Sequence, residues 1–232
     1  MTGPRLPDAT AVGGDGALAG RAGIDATDIA GLVEALRRDG YAVAPGCLEV
    51  GLVAALAAEA RHLDAAGAVH DAGVGRGGAH ALETRIRRSR IVWLDGASEA
   101  QQRLFATAEA LRGEINRRLF LGLFEFEAQF GIHGPGDFYK RHLDSFTGAR
   151  NRMVTLVIYL NENWCAEDGG ALAIWPEKPL PQATDCGAPA LRVLPEAGTV
   201  VLMLSEDIPH EVEPATRERL AIAGWWRVRQ AD

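Results

Sequence analysis

Apolar residues recur at helical spacing through the first half of the chain and in short runs through the second, and the change falls near residue 122. Over residues 28–38, Ile29, Leu32, Val33 and Leu36 share one side of a helix, and Gly40 supplies a stop before an extended run at Tyr41–Ala44. A second helix over Val50–Ala65 aligns Leu52, Leu56, Ala60 and Leu63. A third, over residues 97–121, repeats Leu104, Ala108, Leu111, Ile115 and Leu119 at the same period. Strands then dominate, at residues 124–131, 137–144, 152–161, 170–175, 191–194, 199–204, 211–213 and 219–227. Short strands with turn signals between them predict a mainly β fold with flanking α-helices, its core a closed two-sheet jelly roll.

Between and before these elements the pattern breaks down. Residues 1–24 are rich in Gly, Ala and Pro without periodicity and predict a disordered tail. Residues 25–232 then form a single catalytic domain, with helical support and pre-barrel strands over 25–121 and the jelly roll over 122–232. Residues 67–81 hold five of the 27 glycines and no apolar face, which predicts a mobile loop able to act as a lid. Within it, residues 73–78 superficially resemble a phosphate loop but lack both the strand-to-helix setting and the Lys-Ser/Thr ending. The Pro-rich stretch 176–189 reads as a surface loop.

Composition narrows the function classes. The 232 residues carry a formal net charge of −7 and a pI near 5.4, which argues against a nucleic-acid or anionic-membrane partner. Cys47, Cys165 and Cys186 are few and irregularly spaced, as expected of reduced thiols in a cytoplasmic enzyme. Neither a signal sequence nor an apolar stretch long enough to span a membrane is evident. Arg far outnumbers Lys, present only as Lys140 and Lys178, and with abundant Ala and Gly this suggests a GC-rich bacterial genome.

Against that background four residues stand out. In the strand holding Tyr139 to Asp144, period-two alternation turns His142 and Asp144 to the same face. His210 lies 66 positions beyond Asp144, far enough for intervening strands to fold back and bring it alongside. Two imidazoles and a carboxylate make the facial triad of non-haem Fe(II) oxygenases, which leaves positions open for cosubstrate and dioxygen. Nine residues past His210, Arg219 opens the last apolar strand, and a guanidinium planted there suits a planar carboxylate. A lone His-x-Asp is more often a surface pair than a ligand pair; the combination with His210 and Arg219 is what carries weight. His62, His70, His80 and His133 have no such support and read as surface or loop histidines, His133 being at most a candidate for the site rim.

From Arg85 to Arg227 the chain resembles the prolyl 4-hydroxylase branch of the 2-oxoglutarate and Fe(II)-dependent dioxygenases, especially the hypoxia-inducible-factor type and its bacterial relatives. The blocks that carry the resemblance are residues 87–96, 153–161, 169–175 and 209–214, in that order, followed by the strand from Arg219. The resemblance implies a double-stranded β-helix of the jelly-roll, cupin-like kind. It also implies Fe(II), 2-oxoglutarate and O2 as cofactors, ascorbate as a reductant, and hydroxylation of a prolyl residue in an exposed protein loop with release of succinate and CO2. His142, Asp144 and His210 become the metal ligands and catalytic centre. Arg219 and Tyr159 hold the distal carboxylate of the cosubstrate; Val157, Leu172 and Val212 line its methylenes; Tyr139, Arg152 and Trp225 meet the substrate. For Trp225 and the apolar residues, ordinary core packing is an equally good reading.

The chain departs from the pattern at three places. Arg87-Arg88-Ser89 stands where relatives carry Arg-Gly-Asp, so a charge contact from that Asp to Arg152 is missing. Ile132 or His133 stands where human-type enzymes have a Tyr, and Ala223 where they have a Thr. Alternatives are the same chemistry on a free amino acid or natural-product intermediate, and a non-catalytic binding protein on the same barrel. Demethylation of nucleic acid is disfavoured, because Trp225 occupies the place of that branch's second Arg.

Overall fold

In a computed structural model of the chain, the described residues are 23–72, 85–145, 152–175 and 187–229. Residues 1–22 of the predicted tail, 73–81 of the predicted lid and 176–186 of the Pro-rich stretch lie outside them; Gly23 and Ile24, placed in the tail by the sequence, are buried.

Helix α1 (Ala26–Asp39) begins where the Asp25 carboxylate accepts the amides of Thr27 and Asp28, and ends at Gly40, which adopts a φ of 78° and donates to the Leu36 carbonyl. Ile29, Leu32, Val33 and Leu36 are its buried face, as the spacing predicts. Strand β1 (Tyr41–Ala44) follows, then α2 (Val50–Ala65) and the short β2 (His70–Asp71). The two-residue strand corrects the expectation of a loop starting at residue 67: His70 and Asp71 pair with Ile91 and Arg90 of β3 (Arg90–Trp93). Helix α3 (Glu99–Leu119) is capped by the Ser98 hydroxyl and is two residues shorter at each end than its apolar period suggests.

The remaining strands are β4 (Leu123–His133), β5 (Tyr139–His142), β6 (Val154–Tyr159), β7 (Leu172–Ile174), β8 (Leu191–Val193), β9 (Val200–Leu204), β10 (His210–Val212) and β11 (Arg219–Val228). They build two antiparallel sheets, β1-β9-β6-β11-β4-β3-β2 and β5-β10-β7-β8, the two walls of a double-stranded β-helix.

Alternation along β6 shows how the walls divide labour. Val154, Leu156 and Ile158 pack outward against the helices with Leu220, Ile222, Trp226, Phe130 and Ile132. Val157 and Tyr159 point inward and pack with Leu172, Ile174, Val193 and Val212 from the smaller sheet. A run apolar on both faces is what a strand between two buried layers requires. Helices thus cover one face of the large sheet, and the other faces the cavity.

Candidate active site

The site lies where the end of β5 meets the start of β10. His142 closes β5 and His210 opens β10, and the two are partners across the ladder between those strands. Their rings lie 4.3 Å apart between centroids. The predicted strand through Asp144 stops at His142; Asp144 sits in the bend beyond it, yet its carboxylate reaches the same point. Oδ1 lies 3.6 Å from Nε2 of His142, and Oδ2 lies 3.5 Å from Nε2 of His210. One donor atom from each residue falls within 4.8 Å of the other two.

Both imidazoles are aimed by their own main chains. Nδ1 of His142 is 2.8 Å from the Lys140 carbonyl, and Nδ1 of His210 is 3.0 Å from the Ile208 carbonyl. A carbonyl can only accept, so each Nδ1 carries the proton and each Nε2 lone pair is left facing the centre. Burial, with the neighbouring His142, takes the His210 imidazole down to about 4, so it is a neutral donor at pH 7. Burial alone would raise the Asp144 carboxyl, but the facing imidazoles and Arg152 hold it well below the usual carboxylate range. Thr155 donates to Asp144 Oδ2 at 2.7 Å.

A second polar group lies along β11. Arg219 is buried at 2% exposure, with Nε donating to the Gly170 carbonyl at 2.8 Å and its guanidinium carbon 5.0 Å from the Tyr159 ring centroid. No described carboxylate pairs with it, and among the described residues the fully buried Tyr159 hydroxyl has no partner beyond its electrostatic contact with Arg219. Burial lowers the Arg219 guanidinium and raises the Tyr159 phenol from their ordinary values. Val157, Leu172 and Val212 pack with Tyr159 in the inner cluster. Gly170, at a φ of 70°, makes room for this arrangement: a Cβ there would stand 3.2 Å from Arg219 Cδ and 2.9 Å from Ala215 Cβ.

At the opposite end of the same strand face, Trp225 is buried, with Arg152 stacked 3.6 Å over its ring and Trp93 at 6.3 Å between centroids. The missing Asp partner of Arg152 has a substitute, because Glu127 accepts from its Nε at 3.0 Å and also pairs with Arg227. Tyr139 stacks on His142 with centroids 3.5 Å apart, and Arg87 lies 4.8 Å over the Tyr139 ring.

His133 corrects the sequence reading. It is no surface or loop residue: it ends β4, is 6% exposed, and stands opposite Arg219 in the β4–β11 ladder. Neither ring nitrogen has a partner among the described residues, and burial with the nearby charge of Arg219 keeps its imidazole neutral. His62 and His70 are exposed as expected, and His80 lies outside the described residues. Thr155, Glu127, Arg87 and His133 are the residues that sequence alone left without a role. Inward alternation beside Tyr159 marks Thr155; the others depend on partners distant in sequence.

The donor set fits a divalent transition metal: two imidazole nitrogens and one carboxylate within reach of a common point. The buried guanidinium and the unpartnered phenol fit an organic anion such as a dicarboxylate.

Comparison with known proteins agrees. Residues 128–227 match the 2OG-Fe(II) oxygenase superfamily. The Caenorhabditis elegans hypoxia-inducible factor prolyl hydroxylase is 36% identical over 152 residues, covering 61% of this chain and 20% of that protein. Human Egl nine homolog 1 is 31% identical over 151 residues, covering 61% of this chain and 33% of that one. The chain therefore spans a third or less of these relatives. A crystal structure of a Pseudomonas putida prolyl-4-hydroxylase aligns with 41% identity and a TM-score of 0.75, covering 86% of this chain and 98% of that one.

Proposed function

Because the chain belongs to the 2OG-Fe(II) oxygenase superfamily, in its prolyl 4-hydroxylase branch, we propose that it hydroxylates a prolyl residue of a protein, using Fe(II), 2-oxoglutarate and O2 and releasing succinate and CO2. The observation that carries this reading is the convergence of His142, Asp144 and His210 on the same side of the fold as a buried Arg219 that no described carboxylate pairs. Bound iron, with the cosubstrate and dioxygen, supplies the oxidative decarboxylation and the oxygen transfer to an unactivated C–H bond.

The protein's part is orientation and exclusion of water. His142, Asp144 and His210 hold the metal, each imidazole through Nε2. Arg219 and Tyr159 fix the distal carboxylate of 2-oxoglutarate, supported by the hydrogen-bonding groups they leave unused inside the protein. Val157, Leu172 and Val212 keep its methylenes dry. Tyr139, Arg152 and Trp225 meet the substrate. The Arg152–Trp225 stack, held by Glu127, offers a rigid edge at which a peptide loop can lie. Ascorbate serves as reductant, residues 25–232 act as one catalytic domain, and the sparse, irregularly spaced cysteines, of which Cys47 and Cys165 are free, suit the cytoplasm. No described helix is long and apolar enough to cross a membrane.

The test is succinate formation from 2-oxoglutarate by anaerobically iron-loaded protein after oxygen is admitted, with His210→Ala alongside. Iron-, oxygen- and His210-dependent succinate supports the reaction class. Prolyl peptides and free amino acids screened for a gain of one oxygen atom then decide between a protein and a small-molecule substrate. Protein that forms no succinate, and shows no charge-transfer band when iron and 2-oxoglutarate are combined, overturns the reading.

A further inference from the structure

Asp144 does not reach the metal position unaided. Thr155 and Ser205, each 1% exposed, form a chain of hydroxyls behind it: Thr155 Oγ1 lies 2.7 Å from Asp144 Oδ2, and Ser205 Oγ lies 2.9 Å from Thr155 Oγ1. The chain has one direction. An ionised carboxylate only accepts, so the single hydroxyl proton of Thr155 is spent on Asp144. Ser205 must then donate to Thr155, and its proton fixes the Thr155 rotor, which could otherwise turn toward a strand carbonyl.

From this we propose that Ser205 and Thr155 are positioning residues that make Asp144 a one-oxygen ligand. Oδ2 is occupied by Thr155, whereas Oδ1 faces Nε2 of His142 at 3.6 Å, a nitrogen that donates nothing to it because the ring proton sits on Nδ1. A carboxylate so held presents one unencumbered oxygen. That matters for the count of open positions, because a metal with three protein donors keeps places for a bidentate cosubstrate and for dioxygen. A carboxylate gripping through both oxygens would take one of those places.

The relay also ties the triad together mechanically. Ser205 belongs to the turn between β9 and His210, and its amide donates to the Met153 carbonyl just before β6. Its own carbonyl accepts the amide of Ser145, next to Asp144. The segment that delivers His210 therefore also orients Asp144. This inference rests on the proposed metal site and deepens it.

Mn2+ binding to the metal-free protein, read by the free-ion electron paramagnetic resonance signal without turnover, tests it. Thr155→Val is nearly isosteric and is expected to weaken Mn2+ binding about 10- to 100-fold, with the near-ultraviolet circular dichroism unchanged. Thr155→Ser, which restores the hydroxyl, is expected to recover the affinity. Equal binding by Thr155→Val and the unaltered protein overturns the proposal. If Thr155→Val does not fold, Ser205→Ala is read instead: it keeps every bond to Asp144 and removes only the donor behind Thr155, and unchanged affinity in it overturns the relay. Failure of the unaltered protein to bind Mn2+ in an Asp144-dependent way overturns the metal-site reading itself, and the relay with it.

Discussion

His133 and Arg219 are direct partners across the β4–β11 ladder, so a buried imidazole with two unpartnered nitrogens shares the cavity-facing side of the sheet with a buried guanidinium. Such a pair is poor for stability in the metal-free, cosubstrate-free protein. Replacing the imidazole by an apolar side chain removes the unmet hydrogen-bonding capacity, so His133→Leu is expected to raise stability by about 1 kcal/mol in urea unfolding. An unchanged or lowered midpoint would show that the imidazole is satisfied in solution.

Acid should act through the buried imidazoles. The folded-state values of His133 and His210 are depressed, the latter to about 4, whereas in the unfolded chain histidine titrates near ~6.5. Below that value the unfolded state binds more protons, so stability falls as pH falls. For His210 the slope is up to ~1.4 kcal/mol per pH unit between roughly pH 6.5 and 4. Asp144 works at a lower pH: its depressed value gives stability that is present above the unfolded carboxylate range and is lost as pH falls below it. Urea unfolding of metal-free protein at pH 7 and pH 5 checks the sign, and His133→Leu should flatten the dependence.

Removing a metal ligand is expected to abolish turnover. His142→Ala and Asp144→Ala should form no succinate above the iron-free background and should lose the thermal stabilisation that added metal gives the unaltered protein, which is about 2.7 kcal/mol at a hundredfold excess over Kd. Full activity in either variant contradicts the assigned roles.

Arg219→Ala acts on the cosubstrate instead. Its main effect should be a higher 2-oxoglutarate requirement, because the three proposed iron ligands are untouched. Gly170→Ala should reproduce part of that effect from a distance, since its Cβ would crowd Arg219 Cδ at 3.2 Å. It should also destabilise, because alanine is strained at a φ of 70°. Titration of 2-oxoglutarate into metal-loaded protein measures both.

Arg152→Met separates substrate from cosubstrate. The variant keeps a long apolar stem but loses both the pairing with Glu127 and the charge over Trp225. The KM for substrate should rise about tenfold, which corresponds to roughly 1.4 kcal/mol, while the 2-oxoglutarate dissociation constant measured without substrate stays the same.

Local chemistry was the legible part. The buried face of helix α1 and its stop could be read because the apolar period and Gly40 lie within one short stretch, whereas the helix starts two residues before the expected range, at the Asp25 cap. The triad and Arg219 could be read because their residue types and order constrain one another. What depended on register could not. His133 ends a strand beside Gly134 and Pro135, which reads as the entry to a loop, and only the pairing of β4 with β11 shows that it faces Arg219. Glu127 likewise takes over the pairing with Arg152 across a separation of 25 residues. Asp144 joins the two histidines for a reason that alternation does not give: the strand ends at His142, and the Thr155 hydroxyl bonds the carboxylate in the bend beyond it.

Strand β11 carries Arg219 and Trp225 on one face, six residues apart and without a register shift between them. At about 3.3 Å per residue the two are separated by roughly 20 Å. On the proposed roles of these two residues, the strand is a ruler that sets the distance from cosubstrate to substrate, and β4 and β6 on either side keep it from sliding. Such a ruler cannot be lengthened gradually. One inserted residue would turn the Trp225 side chain toward the helices, and two would restore its face but move it by about 7 Å. If Trp225 meets the substrate as proposed, new substrates are more readily accommodated at the residues packed against it, such as Arg152 and Trp93, than by any change in the length of the strand that bears it.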